Sequence, residues 1–314
     1  MEHYVTLFDS LFLPQGLALH MSMERNAGVY TLWILCLDDE AHDALTKLEL
    51  PNVRLLQLSK LETPELLAIK PTRSKVEYCW TLTPFTSRFV FEMDTTVSRV
   101  TYLDADMWFR KNPVQIFHEF EASGKKVLIT DHGYAPEHDQ SATSGQYCVQ
   151  FMTFTRDGSE TVRKWWEDRC IEWCFSRFED GKFGDQKYLD DWPTRFANSV
   201  HVLSNKELTL APWNATRFPY NNSVTWHFHS LRISLSSRKS LVVTYGSYML
   251  PKCTRETVYQ LYCVDLRTAI MRMQNIGVPF ESQITFSIID YMKLRLLMFL
   301  QRLWLFNTDF VRRL

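Results

Sequence analysis

The chain has 314 residues and a net charge of −1, with 35 Lys plus Arg against 36 Asp plus Glu; 46% of residues are apolar and 23% charged. That balance excludes intrinsic disorder over most of the chain, and it supplies no phosphate-neutralising surface of the kind a nucleic-acid binder needs. The length suits roughly two domains, or one α/β domain with additions.

Taken in chain order, residues 4–8 read as a short buried strand and 15–25 as an amphipathic helix. The run TLWILCL over 31–37 is a strand, followed by the acidic helix start Asp38, Asp39 and Glu40. Strands are expected again over 53–58, 100–103, 126–130, 149–155, 200–203 and 240–245, with a helix over 83–92. A helix is predicted over 157–177, where Asp157 and Glu160 have capping-box spacing and Trp165, Trp166, Cys170, Trp173 and Cys174 follow at helical intervals. From about residue 254 the chain reads as helical. Short strands separated by helical stretches imply an α/β fold with a largely parallel sheet.

The seven cysteines have no framework spacing, and the opening MEHYVTLFDSLFLPQG has no apolar targeting core, so reduced cytoplasmic thiols are expected. Cys170 and Cys174 fit packing inside a helix better than a soft-metal site. No run of eighteen apolar residues occurs, so no membrane span is expected.

Chemistry concentrates in VTYLDADMWF, residues 100–109. It reads as a buried strand ending in Asp104 and Asp106, whose side chains at i and i+2 share a face toward the crevice beyond the strand end. Two converging carboxylates repel, and a hard divalent cation open to a diphosphate relieves that repulsion. The bland alternative is a surface turn with two solvated acids. His227 reads either as a core histidine in an aromatic strand or as a third ligand, and His229 would share its face. Two Asp oxygens with one imidazole suit Mn²⁺ somewhat better than Mg²⁺. Asp185 and Gln186 open a short helical stretch, where a carboxylate is also simply favourable at an N-terminus. Trp192, Trp213 and Trp226 are core or cleft walls, and Arg73 and Lys75 are solvated or within reach of a nucleotide phosphate.

YLDADMWF resembles the metal-binding Asp-x-Asp element of nucleotide-sugar glycosyltransferases of the GT-A fold, nearest to glycosyltransferase family 8. Further segments are similar in the same order. TLFDSLF, with Thr6, Phe8 and Asp9, resembles the family's nucleotide-binding opening; GDQKYL resembles its Asp-Gln-x-x-Leu element; HFHS resembles its His-Phe-x-Gly element. RFEDGKFGDQKYLDDWP and LAPWN look like a bacterial branch related to that family.

The resemblance implies a GT-A-type, Rossmann-like mixed sheet flanked by helices over residues 1–250, with a helical C-terminal extension over 251–314. It implies transfer, with retention, from a nucleotide diphosphate sugar (a UDP-sugar favoured) to a glycan such as a bacterial surface polysaccharide or lipopolysaccharide. The metal falls to Asp104, Asp106 and His227, and the donor to Thr6, Phe8, Asp9, Arg73, Asp104 and Asp106. Asp185 would hold donor-sugar hydroxyls and Gln186 would sit under the anomeric carbon.

The chain departs from the pattern in three places. Ser230 replaces the usual Gly, the Lys-Pro-Trp that often follows is missing, and YCVQF stands where Asn-x-Gly is usual. The diphosphate would then need another cation, Arg232 or Lys239. Residues 291–314 are apolar and basic. They read as a helix covering the sheet edge, or as one lying on anionic lipid with Trp304 and Phe306 at the interface, which would place the protein peripherally on the inner face of the plasma membrane. The rival readings are a haloacid-dehalogenase-type phosphatase, a nucleotidyltransferase, and a catalytically inactive carbohydrate- or nucleotide-binding protein on a transferase fold.

Overall fold

The computed structural model describes residues 1–236, 239–284 and the strand pair 312–313. The helix expected over 291–314 therefore lies outside the described residues, apart from Arg312–Arg313, which pair antiparallel with Val242 and Val243. No helix among the described residues is long and apolar enough to cross a membrane.

Strand β1 (Glu2–Phe8) leads through a 3-10 turn (Ser10–Phe12) into α1 (Leu13–Asn26), then β2 (Tyr30–Cys36), α2 (Asp39–Leu48) and β3 (Val53–Gln57). Three short helices, α3 (Pro64–Ile69), α4 (Lys75–Leu82) and α5 (Thr86–Met93), precede β4 (Arg99–Leu103) and β5 (Met107–Phe109). Next come α6 (Val114–Ser123), β6 (Val127–Asp131), α7 (Ser141–Ser144), β7 (Tyr147–Thr155) and α8 (Glu160–Glu172). A 3-10 segment (Lys187–Asp191) joins α9 (Trp192–Arg195), followed by β8 (Val200–Val202), β9 (Thr209–Leu210) and β10 (Thr225–His227). The hairpin β11 (Leu231–Leu235) and β12 (Leu241–Tyr245) leads to α10 (Lys252–Thr254), a π turn (Arg255–Tyr259) and α11 (Gln260–Asn275).

The main sheet has the order β3-β2-β1-β4-β7-β6-β8. β1 to β4 run parallel, and β7 is antiparallel to both β4 and β6. Alternate residues of each central strand enter opposite cores, which is why the strands are apolar almost without interruption. Tyr4, Phe8, Leu32 and Ile34 join α1, α2, α6 and α11 on one face; Val5, Leu7, Trp33 and Leu35 join α4, α5 and α8 on the other. α1 lies very close to β1 because Gly16 has no side chain. A Cβ there would be 2.4 Å from the Phe8 ring.

This is the expected mixed α/β sheet flanked by helices and followed by a helical C-terminal region. Local expectations fared unevenly. The helix read over 157–177 is shorter, Glu160–Glu172, and Asp157 does not cap it. Ser159 precedes it and donates its hydroxyl back to the Thr155 carbonyl, while Trp173 turns extended and ends it. Cys174 thus lies past the helix, and both it and Cys170 are buried free thiols. Pro84 lies in a 3-10 turn (Thr83–Phe85), so the helix read over 83–92 begins at Thr86 instead. Helix α4 is additional to the expected elements, and Ser74 and Glu77 form a complete capping box at its start. α3 and α6, and a small sheet of order β5-β10-β9, were likewise not anticipated.

Candidate active site

Leaving β1, the chain builds β2 and β3 on one side and returns to place β4 on the other. The connections diverge between β1 and β4, and such a switch point opens a crevice beyond the carboxyl ends of the strands. Asp9 follows β1 and Asp104 follows β4, so both open onto it. Antiparallel β7 brings Gln150 alongside, with the Asp104 N–H donating to the Gln150 carbonyl at 3.3 Å.

Asp104 and Asp106 converge for a different reason from the one the sequence suggested. β4 stops at Leu103, and the two acids sit in a turn closed by the Met107 N–H donating to the Asp104 carbonyl at 3.1 Å. β5 then pairs antiparallel with β10, setting His227 opposite Met107, and the Phe228 N–H donates to the Asp106 carbonyl at 2.9 Å. That register carries His227 Nε2 to 3.1 Å from Asp106 Oδ1 and 3.7 Å from Asp104 Oδ2. One ligand atom from each of the three lies within 4.8 Å of the others.

Two neighbours orient this group. The Tyr102 hydroxyl donates to Asp104 Oδ1 at 2.8 Å. Gln150 Oε1 lies 2.8 Å from His227 Nδ1. An amide oxygen accepts, so Nδ1 carries a hydrogen and Nε2 is the atom that faces the carboxylates. The electrostatics follow from burial and charge. Burial raises the Asp104 carboxyl above its ordinary range; His227 partly offsets this and the like charge of Asp106 adds to it. For Asp106, burial is outweighed by the charge and hydrogen bond of His227, with His229 and Arg232 behind, so its carboxyl is held low. Burial disfavours protonated His227, but the Asp106 charge outweighs it and raises the imidazole. Among the described residues no backbone N–H donates to either carboxylate. A donor set of two carboxylates without backbone donors and one oriented imidazole fits a divalent cation.

Asp185 is placed by backbone geometry. Gly184 has φ +52, and a Cβ there would meet Trp80 at 3.1 Å, so the turn needs a residue without one. The Asp185 carbonyl accepts from Trp166 Nε1 at 2.8 Å. Its carboxyl is buried with Oδ2 unpartnered, and burial, with Asp104 next in effect, pushes its pKa up to about 7. Gln186 donates Nε2 to the Ser144 carbonyl at 2.8 Å.

The other candidates are spread around this centre. Thr6 is buried in β1 with its hydroxyl unpartnered. Phe8 belongs to the core under α1. Asp9 accepts from the Phe12 N–H at 3.1 Å and pairs with Lys75 at 2.6 Å. Arg73 donates to the Ile171 carbonyl at 3.2 Å and lies over the Phe175 ring at 3.9 Å, so Lys75 rather than Arg73 is the cation paired at Asp9.

His229 is exposed in the turn after β10 and contacts the Tyr248 hydroxyl at 2.9 Å; it is not part of the three-residue group. Trp192 and Trp226 are core, while Trp213 sets its ring edge-on to His227 at 5.3 Å. Ser230 adopts φ +61, the conformation that favours glycine, where the resembled pattern has Gly. The roles of Gln150 and Tyr102 were missed. The one signal for Gln150 was a polar residue in an apolar strand, and only its pairing shows what it meets.

No protein-family model matches the chain. The uncharacterized protein YfnF of Bacillus subtilis (strain 168) is 29% identical over 298 residues, covering 88% of this chain and 96% of its own length. Among solved structures, an active-site mutant of LgtC superposes with a TM-score of 0.52 at 12% identity, covering 85% of this chain and 95% of its own. The apo form of the glycosyltransferase GlyE of Streptococcus pneumoniae TIGR4 gives a TM-score of 0.50 at 14% identity, covering 90% of this chain and 66% of its own. At such identities the likeness is one of fold: the chain has the GT-A glycosyltransferase fold.

Proposed function

We propose that the chain is a metal-dependent glycosyltransferase that moves a sugar from a nucleotide diphosphate sugar, a UDP-sugar by preference, to a glycan acceptor. The observation that carries this reading is the convergence of Asp104, Asp106 and His227 at the switch point of a GT-A fold. These three residues would hold Mn²⁺, or Mg²⁺, and the ion would supply Lewis-acid stabilisation to the departing diphosphate.

The chain's own residues do the rest. Asp185, buried with a free Oδ2, is suited to accept a hydrogen bond from a donor-sugar hydroxyl. Gln186 would flank the anomeric carbon, and Thr6 and Asp9, at the carboxyl end of β1, the nucleotide. The bond from the anomeric carbon to the phosphate oxygen breaks, the acceptor oxygen bonds to that carbon from the same face, and its proton passes to the leaving phosphate oxygen. Configuration is retained. Residues 1–250 would form the transferase domain and 251–314 an extension. In this reading the acceptor is a bacterial surface polysaccharide or lipopolysaccharide, and residues 291–314 hold the protein peripherally on the inner face of the plasma membrane.

The test is a thermal-shift screen of UDP, GDP, CMP and their sugar conjugates, each with Mn²⁺ and with EDTA. A ligand at a hundred times its Kd adds about 2.7 kcal/mol of stability. Stabilisation by one nucleotide family that disappears in EDTA is the expected result. No shift with any of them would overturn the reading in favour of a fold that has lost its chemistry.

A further inference from the structure

On the flank of the metal group away from β1 stands a cluster of rings. Trp213 lies in a 3-10 turn (Pro212–Asn214), held by its Nε1 donating to the His132 carbonyl at 2.9 Å. Its ring is 5.3 Å from that of His227 and 5.4 Å from that of His229. Tyr248, in the loop after β12, packs on His229 at 5.8 Å and on His138 at 5.1 Å. Tyr134, after β6, lies 6.3 Å from Trp213 and stacks on His132 at 4.5 Å. The loop that carries Tyr134 and His138 is held at both ends. Asp131 accepts from the Gly133 N–H at 2.7 Å and from Gln146 Nε2 at 2.6 Å, and Asp190 accepts from the Gln146 N–H at 2.7 Å. Trp166, Trp192 and Trp226 are fully buried, and packing accounts for them. Packing does not account for this cluster: Tyr134, His138 and Tyr248 are half-buried and His229 is exposed, with Trp213 buried behind them.

Position and chemistry together give the cluster a use. The strand order puts β1 and β2 on one side of β4, and β6, with the loop bearing Tyr134 and His138, on the other. A nucleotide at the end of β1, with its diphosphate on the metal, leaves the β6 side for the acceptor. Tyrosine, tryptophan and histidine each join an apolar ring face to a polar edge. Such faces pack on the C–H face of a pyranose, while the edges suit its hydroxyls. The polar edges here are the Tyr248 hydroxyl, 2.9 Å from His229 Nδ1, and His138 Nε2, which has no partner among the described residues. We propose that Tyr134, His138, His229 and Tyr248, backed by Trp213, form the acceptor subsite, and that it takes a pyranose ring stacked by its apolar face. This assignment rests on the transferase reading and deepens it by naming the class of acceptor group and the residues that meet it.

The experiment uses the full chain with Mg²⁺, which is diamagnetic, and each of UDP, GDP and CMP in turn. The probes are the methyl β-pyranosides of glucose, galactose and N-acetylglucosamine, with sorbitol as an open-chain control. Saturation-transfer NMR reads their binding to wild type, Y134A, Y248A and Y134F. Wild type should bind at least one pyranoside, with saturation strongest on the protons of one ring face, and should not bind sorbitol. Y134A and Y248A should each weaken that binding about 3- to 10-fold, the size of one ring contact, with Y134F close to wild type. Calorimetric nucleotide affinities with Mg²⁺ should match in all four proteins, which a general loss of structure would not allow. Equal pyranoside affinity in wild type, Y134A and Y248A would overturn the assignment while leaving the transferase reading intact. So would sorbitol binding as well as the pyranosides, or no pyranoside binding by a chain that binds a nucleotide. Failure of wild type to bind any of the three nucleotides would overturn that reading, and the assignment with it.

Discussion

Two groups of carboxylates lie at the same edge of the sheet, and their surroundings differ. On the β1–β2 side, Asp38 accepts from the Ala41 N–H at 2.9 Å as the cap of α2, and from the Ser10 N–H at 3.1 Å and hydroxyl at 2.9 Å. Asp9 caps its own 3-10 turn and pairs with Lys75. On the β4 side, Asp104 receives a single hydroxyl, from Tyr102, and Asp106 faces His227. Acids of the first kind are satisfied by the fold. Acids of the second kind repel one another across a partly buried turn, an arrangement suited to a cation from outside. Position at a strand end is thus a poor guide to chemistry; what the backbone already donates to a carboxylate is a better one.

Substitutions can break this contrast. Asp106→Ala should lower sugar transfer by about 10³-fold, the several kcal/mol that a Lewis acid contributes, with the circular dichroism spectrum unchanged. Full turnover that still required metal would place the site elsewhere. Gln150→Leu removes the acceptor that fixes His227, so Mn²⁺ affinity should fall by about 10- to 100-fold in a direct metal titration. Gln150→Glu, which keeps an acceptor oxygen at Nδ1, should recover most of it.

A third test uses pH. Burial and Asp104 push Asp185 up to about 7, so the folded metal-free chain retains a proton that the unfolded chain releases near pH 4. That protonation favours the folded state most at low pH, and the advantage is lost as the pH rises through 7. Asp185→Asn should therefore be more stable than the parent at pH 8 by about 1–3 kcal/mol, with the two denaturation curves converging toward pH 4. A constant gap at all pH values would show that Asp185 is ionised in the folded chain. The smallest effect is the control. Asp38→Ala should cost about 1 kcal/mol of stability as a lost helix cap, with Mn²⁺ affinity unmoved in the same titration.

Much of this was legible in the sequence. Strands of apolar residues separated by helical stretches announce a two-sided sheet, because each strand must fill two cores. The ends of β1 and β4 are marked by Asp9 and Asp104, since an apolar run stops where the chain meets solvent. Asp104, Asp106 and His227 could be picked out as residue types suited to one cation. The boundaries of α8 were less legible. Asp157 and Glu160 have capping spacing, but Ser159 bonding back to Thr155 starts the helix later.

Residue order and local pattern therefore set the class of fold, the polar punctuation of its strands and the kinds of ligand atom available. Which of them meet depends on how the strands pair. His227 reaches Asp106 across 121 positions of chain because β10 pairs with β5 in one register, and a shift of one residue would turn its imidazole to the opposite face. Gln150 meets His227 because β7 runs antiparallel beside β4, and Arg232 points outward because Leu231 and Ile233 take the core. Local sequence encodes which face of a strand is apolar. It does not encode which strand will lie beside it, because pairing is settled by the burial of both faces at once.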